Sequence, residues 1–135
     1  MAGYSGSPLT KKLGIRSGMN LLVENAPRDY REILEDRDIS FTMSRRLSRR
    51  VDLIHLFTTS AEQLAKRLAA YRRGMKADGV IWVSWPKKAA KVPTDITEDV
   101  IRQIAIPMGL VDIKVCAVDE VWSGLKLVIR VALRT

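Results

Sequence analysis

The stretch "NLLVENAPRDY", residues 20–30, passes from a continuous apolar run into a segment with helical spacing. Leu21, Leu22 and Val23 leave no polar face, so the run reads as a strand covered on both sides, as in a parallel sheet. Pro27 suits a first helical turn, and Tyr30, Ile33 and Leu34 follow at the spacing of one helix face. A strand feeding directly into a helix is the repeating unit of α/β domains. Nucleotide- and cofactor-binding members of that class carry glycines at this junction, which let the backbone approach a ligand. Here the junction holds Asn25, Ala26, Pro27 and Arg28.

The same pattern extends along the chain in both directions. Residues 1–7 are Gly/Ser-rich and read as a loose arm, and Pro8 opens a short helix through Leu13 that Gly14 closes. "ISFTM" (39–43) alternates like an outer strand, "RRLSRR" (45–50) is a basic connection, and "VDLIHLF" (51–57) is a buried strand. Ser60 caps a helix whose apolar stripe is Leu64, Leu68, Tyr71 and Met75. "VIWVSW" (80–85) is the next strand, stopped by Pro86. Asp95 and Glu98 have the spacing of a capping box for a helix with Val100, Ile101, Ile104 and Ala105 on its core face. "LVDIKVCAV" (110–118) and "GLKLVIRVAL" (124–133), joined by the short "DEVWS", form an antiparallel hairpin. The expected architecture is a single α/β domain over residues 1–135, with three layers and a mostly parallel sheet of about six strands that ends in this hairpin.

A chain of 135 residues can bury a substantial core, and 47% hydrophobic with 28% charged residues argues against a disordered chain. No run approaches the roughly 20 apolar residues of a membrane helix, and the N-terminus lacks the apolar core of a secretory signal. Cys116 has no partner in the chain and sits in an apolar run, so it reads as a core residue of a cytoplasmic protein. The formal charge of +8 favours acidic partners such as nucleic acid, nucleotides or anionic surfaces.

Two phrases, "LGIRSGMNLLVEN" and "LAAYRRGMKADGVIWVSWPK", resemble the first strand and the fourth helix with fifth strand of class I methyltransferases. The resemblance covers most of residues 9–135, with one strand–helix unit missing between "ISFTM" and "VDLIHLF", so it implies a shortened, Rossmann-like, methyltransferase-like fold. Through "AGYSGSPLTKKLGI", "WPKKAA", "TDITEDVIRQIA" and "GLVDIKVCAVDEVWSGLKLVIR" the whole chain resembles a family of small, uncharacterised bacterial proteins known only as a domain of unknown function. The methyltransferase resemblance implies an S-adenosylmethionine site at the first strand–helix junction, with an acid on the second strand for the ribose. Glu24 matches the acid that opens the family's first motif. The glycines are absent, Pro27 removes a backbone donor, and the second strand ends in Thr42, Met43, Ser44 and Arg45.

A micromolar ligand has about −8 kcal/mol of binding free energy. Losing a ribose–carboxylate pair forfeits roughly 1.5–3 kcal/mol, and a blocked backbone approach costs at least as much by steric overlap. The cofactor site therefore reads as degenerate, with no cofactor-binding, catalytic or metal-ligating residue assigned. His55, the only histidine, lies mid-strand between Ile54 and Leu56 and reads as a buried, hydrogen-bonded imidazole. One histidine and one cysteine make no zinc site of the usual kind. Asp119 and Glu120 are adjacent and face opposite ways in extended chain.

The remaining candidates lie at strand ends, where open α/β sheets bind ligands. Arg45, Arg46, Arg49 and Arg50 follow the second strand and Lys87 and Lys88 the fourth, giving a candidate anion-binding edge. Glu24, Trp85 and Trp122 could line a residual pocket, while Trp82 and Trp85 point to opposite faces and cannot share one. The sequence thus reads as a non-catalytic domain binding an anionic partner: nucleic acid, a phosphorylated metabolite or an acidic protein. The alternatives are an S-adenosylmethionine-dependent methyltransferase, or another enzyme using the same crevice, and a module that dimerises through its hairpin edge.

Overall fold

The computed structural model describes residues 8–34 and 38–134, so the arm expected at residues 1–7 lies outside the described residues. Helix α1 (Leu9–Leu13) is closed by Gly14, whose φ of 78° suits a residue without Cβ. Strand β1 (Asn20–Glu24) leads to α2 (Tyr30–Leu34), and β2 follows (Thr42–Met43). Strand β3 (Leu53–Phe57), α3 (Ala61–Gly74) and β4 (Val80–Pro86) come next. The chain ends with α4 (Glu98–Ala105), β5 (Leu110–Ala117) and β6 (Trp122–Ile129).

The six strands form one sheet in the order β2-β1-β3-β4-β6-β5. Pairing is parallel through β4 and antiparallel for β6, which inserts between β4 and β5. The expected six-stranded, mostly parallel sheet with a terminal hairpin is therefore the observed one. Strand β2 is shorter than "ISFTM" suggests: only Thr42 and Met43 pair, opposite Asn20 and Leu21, and both are exposed at the sheet edge.

Strand parity sorts the core into two layers. Leu22, Ile54, Leu56, Ile81, Val83, Trp85, Leu125 and Leu127 face α3 and α4, meeting Leu64, Leu68, Tyr71, Ile101 and Ala105. Leu21, Leu53, Phe57 and Trp82 face the other way, onto α1 and α2. Trp82 and Trp85 do lie on opposite faces, and both are buried. The indole N–H of Trp82 donates to the Leu13 carbonyl at 2.9 Å, which ties α1 to the sheet. A Cβ at position 124 would lie 3.2 Å from both the Trp82 ring and Val118, so glycine there lets the ring lie flat on β6.

Two expected details differ. Thr97, not Asp95, caps α4 by accepting from the Val100 amide at 3.2 Å. Asp95 instead accepts from the Ala61 amide at 2.8 Å, because the loop before α4 folds over the start of α3 and its carboxylate finds the open N–H groups of that longer helix. Cys116 is half-buried on the outermost strand, not enclosed in the core, and burial raises its thiol pKa. Among the described residues no helix is long and apolar enough to cross a membrane.

His55 is fully buried in β3, between the Tyr30 hydroxyl (2.8 Å from Nδ1) and the Ser84 hydroxyl (2.7 Å from Nε2), and stacks on Phe57 with ring centres 4.3 Å apart. Burial lowers its pKa from 6.5 to about 3. The unfolded chain thus takes up a proton near 6.5 that the folded chain refuses, so this contribution to stability is complete above that pH and is lost on acidification. Urea unfolding between about pH 7 and 5 should show stability falling by roughly 1.4 kcal/mol per pH unit below the unfolded pKa, with the slope removed in His55→Gln. Equal slopes for the two proteins would show that His55 does not carry the effect.

Candidate functional site

The carboxyl end of β1 is where the sequence places a ligand crevice. Asn25 follows β1 with φ of 58°, a left-handed conformation that asparagine tolerates better than most residues. The turn a glycine would make is thus retained, but with a side chain on it. Helix α2 begins only at Tyr30, after a turn in which the Tyr30 amide donates to the Pro27 carbonyl at 3.1 Å.

Glu24 turns toward α3. The Tyr71 hydroxyl donates to one carboxylate oxygen, and the Arg67 guanidinium lies 3.5 Å from the other. The carboxylate is 27% exposed, and burial of Tyr71 together with its hydrogen bond to this charge pushes the Tyr71 hydroxyl pKa well up. Beside Arg67, a shallow groove of about 380 Å³ runs along α3, lined by Ser60, Glu62, Gln63, Lys66, Arg67 and Ala70. Ser60 is occupied as the helix cap, accepting from the Gln63 amide at 3.2 Å, as the sequence suggests.

The aromatic candidates are packed. Trp85 belongs to the core under α3 and α4, and Trp122 lies perpendicular to Phe57 with ring centres 5.1 Å apart while remaining half-exposed. Asp119 accepts from the amides of Val121 and Trp122, at 2.8 and 2.7 Å, so it serves the hairpin turn. Glu24, Trp85 and Trp122 therefore do not converge on one pocket.

The basic residues separate as well. Arg45 and Arg46 leave β2, whereas Arg49 and Arg50 have returned to the amino end of β3, where the Arg50 carbonyl accepts from the Asn20 side chain at 3.0 Å. Lys87 and Lys88 follow the carboxyl end of β4, and the Lys87 amide donates to Val121 at 2.7 Å. Register explains the split: Met43 and Leu53 both lie level with Leu21, so the connection that carries the arginines begins and ends near the amino end of the sheet, whereas Lys87 and Lys88 follow the carboxyl end of β4. Arg45, Arg46, Arg49 and Arg50 are all exposed in that connection, and Lys87 and Lys88 lie apart from them.

This architecture is a class I methyltransferase, Rossmann-like fold, and solved structures of that class superpose on most of the chain. An S-adenosylmethionine-dependent methyltransferase from Aquifex aeolicus shares 15% identity with a TM-score of 0.61, over 90% of this chain and 87% of that one. A protein from Sulfolobus solfataricus assigned as a type 11 methyltransferase shares 13% identity with a TM-score of 0.60, over 94% of this chain and 92% of that one. Fibrillarin from Aeropyrum pernix, whose structure holds natively bound S-adenosylmethionine, shares 17% identity with a TM-score of 0.51, over 84% of this chain and 67% of that one. No protein-family model and no curated protein matches the chain.

The residues at the crevice do not fit S-adenosylmethionine well. The acid that could receive the ligand is held by Tyr71 and Arg67, Asn25 adds a side chain where the backbone should be bare, and the end of β2 offers no carboxylate for a ribose. The partners of Glu24 are not evident from local sequence, although Arg67 and Tyr71 stand four residues apart on α3, which puts them on one helix face. Tyr71→Phe should destabilise the fold by about 1.5–3 kcal/mol, the usual scale for a hydrogen bond to a charged group. Chemical denaturation reads this directly, and an unchanged midpoint would show that Glu24 does not depend on Tyr71.

Proposed function

We propose that this chain is a non-catalytic domain of methyltransferase fold that binds an anionic partner. The observation that carries the reading is the engagement of Glu24 by Tyr71 and Arg67, which turns the one acid matching the cofactor motif into a clasp between β1 and α3. The groove beside Arg67 is lined by helix side chains, with Lys66 and Glu62 already paired at 3.3 Å. Support for an anionic partner comes from Arg45, Arg46, Arg49 and Arg50. All four are exposed, and among the described residues none of them forms an ion pair. Exposed like charges close in sequence repel one another, and a polyanion relieves that repulsion while releasing counterions.

The competing reading, an S-adenosylmethionine-dependent methyltransferase, rests on the fold shared with proteins of that activity. Isothermal titration calorimetry distinguishes the two. The non-catalytic reading expects no saturable heat with S-adenosylmethionine at micromolar concentration. A micromolar isotherm, abolished by Glu24→Gln, would restore the enzyme.

A further inference from the structure

The amino end of the sheet gathers arginines from elements far apart in sequence. Register places Leu21, Leu53, Val80 and Val128 level across β1, β3, β4 and β6. Just beyond that row stand Arg16 before β1, Arg49 and Arg50 before β3, and Arg130 after the antiparallel β6, all of them exposed. Helix α3 runs back along the sheet and ends at the same margin. Its Gly74 accommodates Leu47 of the arginine-bearing connection, since a Cβ there would lie 2.6 Å from the leucine side chain. The Arg72 guanidinium donates through Nε to the Met108 carbonyl at 3.1 Å and lies beside Gly109. The Gly109 carbonyl in turn accepts from the Arg130 amide at 2.9 Å, so Arg72 and Arg130 are neighbours.

Among the described residues none of these arginines forms an ion pair with an acid. Asp52 and Asp78, which lie at this end, both engage Lys76: its ammonium donates to Asp52 and stands 4.0 Å from Asp78. Burial opposes ionisation of Asp52, but its bonds from Lys76 and Asn20, with the charges of Lys76 and Arg16, hold its pKa below the usual value. The charge of Arg16 therefore reaches across to β3. Asp38 lies on the approach to β2, at the margin of this end. No described aromatic side chain is exposed here: Tyr71 is buried, and Phe41 is half-buried with the Arg31 guanidinium 5.5 Å from its ring centre.

We propose that the amino end of the sheet, through Arg16, Arg49, Arg50, Arg72 and Arg130, binds the phosphate backbone of duplex DNA. This inference rests on the anionic-partner reading and names the partner. The planar fork of arginine matches a phosphate group. A duplex turns its phosphates outward and keeps its bases stacked, so it requires cations and no aromatic platform, whereas single strands are held by stacking on exposed rings. From β1 to β6 is three strand spacings, about 14 Å. That span is comparable with the roughly 12 Å width of a B-form major groove, which phosphates of both strands border. A compact anion would meet only part of it. The partner then sits at the end of the sheet opposite the crevice of Glu24.

The test is fluorescence anisotropy of labelled duplex DNA against the full chain over a range of salt. Arg16→Gln/Arg130→Gln, outside the run Arg45–Arg50, should weaken binding several-fold and reduce the salt slope by about 1.8, the value for two phosphate contacts on B-form DNA. Arg49→Gln/Arg50→Gln should do the same, and both variants should melt close to the wild type because these side chains are exposed. Lys87→Gln/Lys88→Gln, at the carboxyl end of β4, measures diffuse attraction. Two duplexes of unrelated sequence should bind alike, since phosphate contacts carry no sequence information. A loss in the Arg16/Arg130 variant no larger than in the lysine variant overturns the inference; a larger loss in Arg49/Arg50 alone leaves the anionic-partner reading standing. Tighter binding of a single strand of equal length, or binding to phosphatidylglycerol vesicles without binding to the duplex, overturns it in the same way. A chain that binds duplex, single strand and vesicles not at all overturns both.

Discussion

A strand buried on both faces can hold a polar side chain only when its hydrogen-bonding atoms are satisfied within the protein. Every side chain of β3 is buried, and His55 sits at its centre. Tyr30 and Ser84 meet that demand from α2 and β4, so one imidazole links a helix to two adjacent strands. A helix as short as α2 has little stability of its own. Burial of Tyr30 and Leu34, together with the Tyr30 hydroxyl on His55, holds it against the sheet. The element that would present a cofactor site in this kind of fold is thereby fastened from below.

The junction with its missing glycines has been rebuilt as structure. Asn25 keeps the left-handed turn, Glu24 clasps α3 through Tyr71 and Arg67, and Tyr30 locks the following helix onto the core. Asp95 does something similar at the next strand–helix junction, placing a carboxylate against the first amide of α3. Positions where an α/β domain offers free backbone donors or a free acid to a ligand are here bonded to the protein's own side chains.

Much of the fold was legible because its signals are local. Apolar runs marked the strands, Ser60 and Gly14 marked helix ends, and odd spacing separated Trp82 from Trp85. What escaped depended on partners distant in sequence. Glu24 and Tyr71 are 47 residues apart, and Asp95 and Ala61 are 34 apart, so neither pairing leaves a trace in a short window. The arginines misled for a different reason. "RRLSRR" follows a strand just as Lys87 and Lys88 do, but β2 pairs only with Asn20 and Leu21, so its end stays near the amino end of the sheet while β4 ends at the other. The pairing of Lys114 with Lys126 across the hairpin was hidden because cross-strand register depends on the bulge between Asp112 and Lys114.

That bulge bears on how the molecule behaves in a crowd. Strand β5 is the outer edge of the sheet and carries Ile113, 55% exposed, and Val115, 48% exposed. An open edge with apolar side chains is a template on which another chain can add a strand. The extra residue kinks the backbone midway and breaks the run of evenly spaced donors and acceptors, and Lys114 sets a charge beside the kink. At the opposite edge β2 is only two residues long, too short to seed much pairing. Both margins of the sheet are blunted, so the same irregularity that sets the hairpin register also discourages uncontrolled growth of the sheet from one molecule to the next.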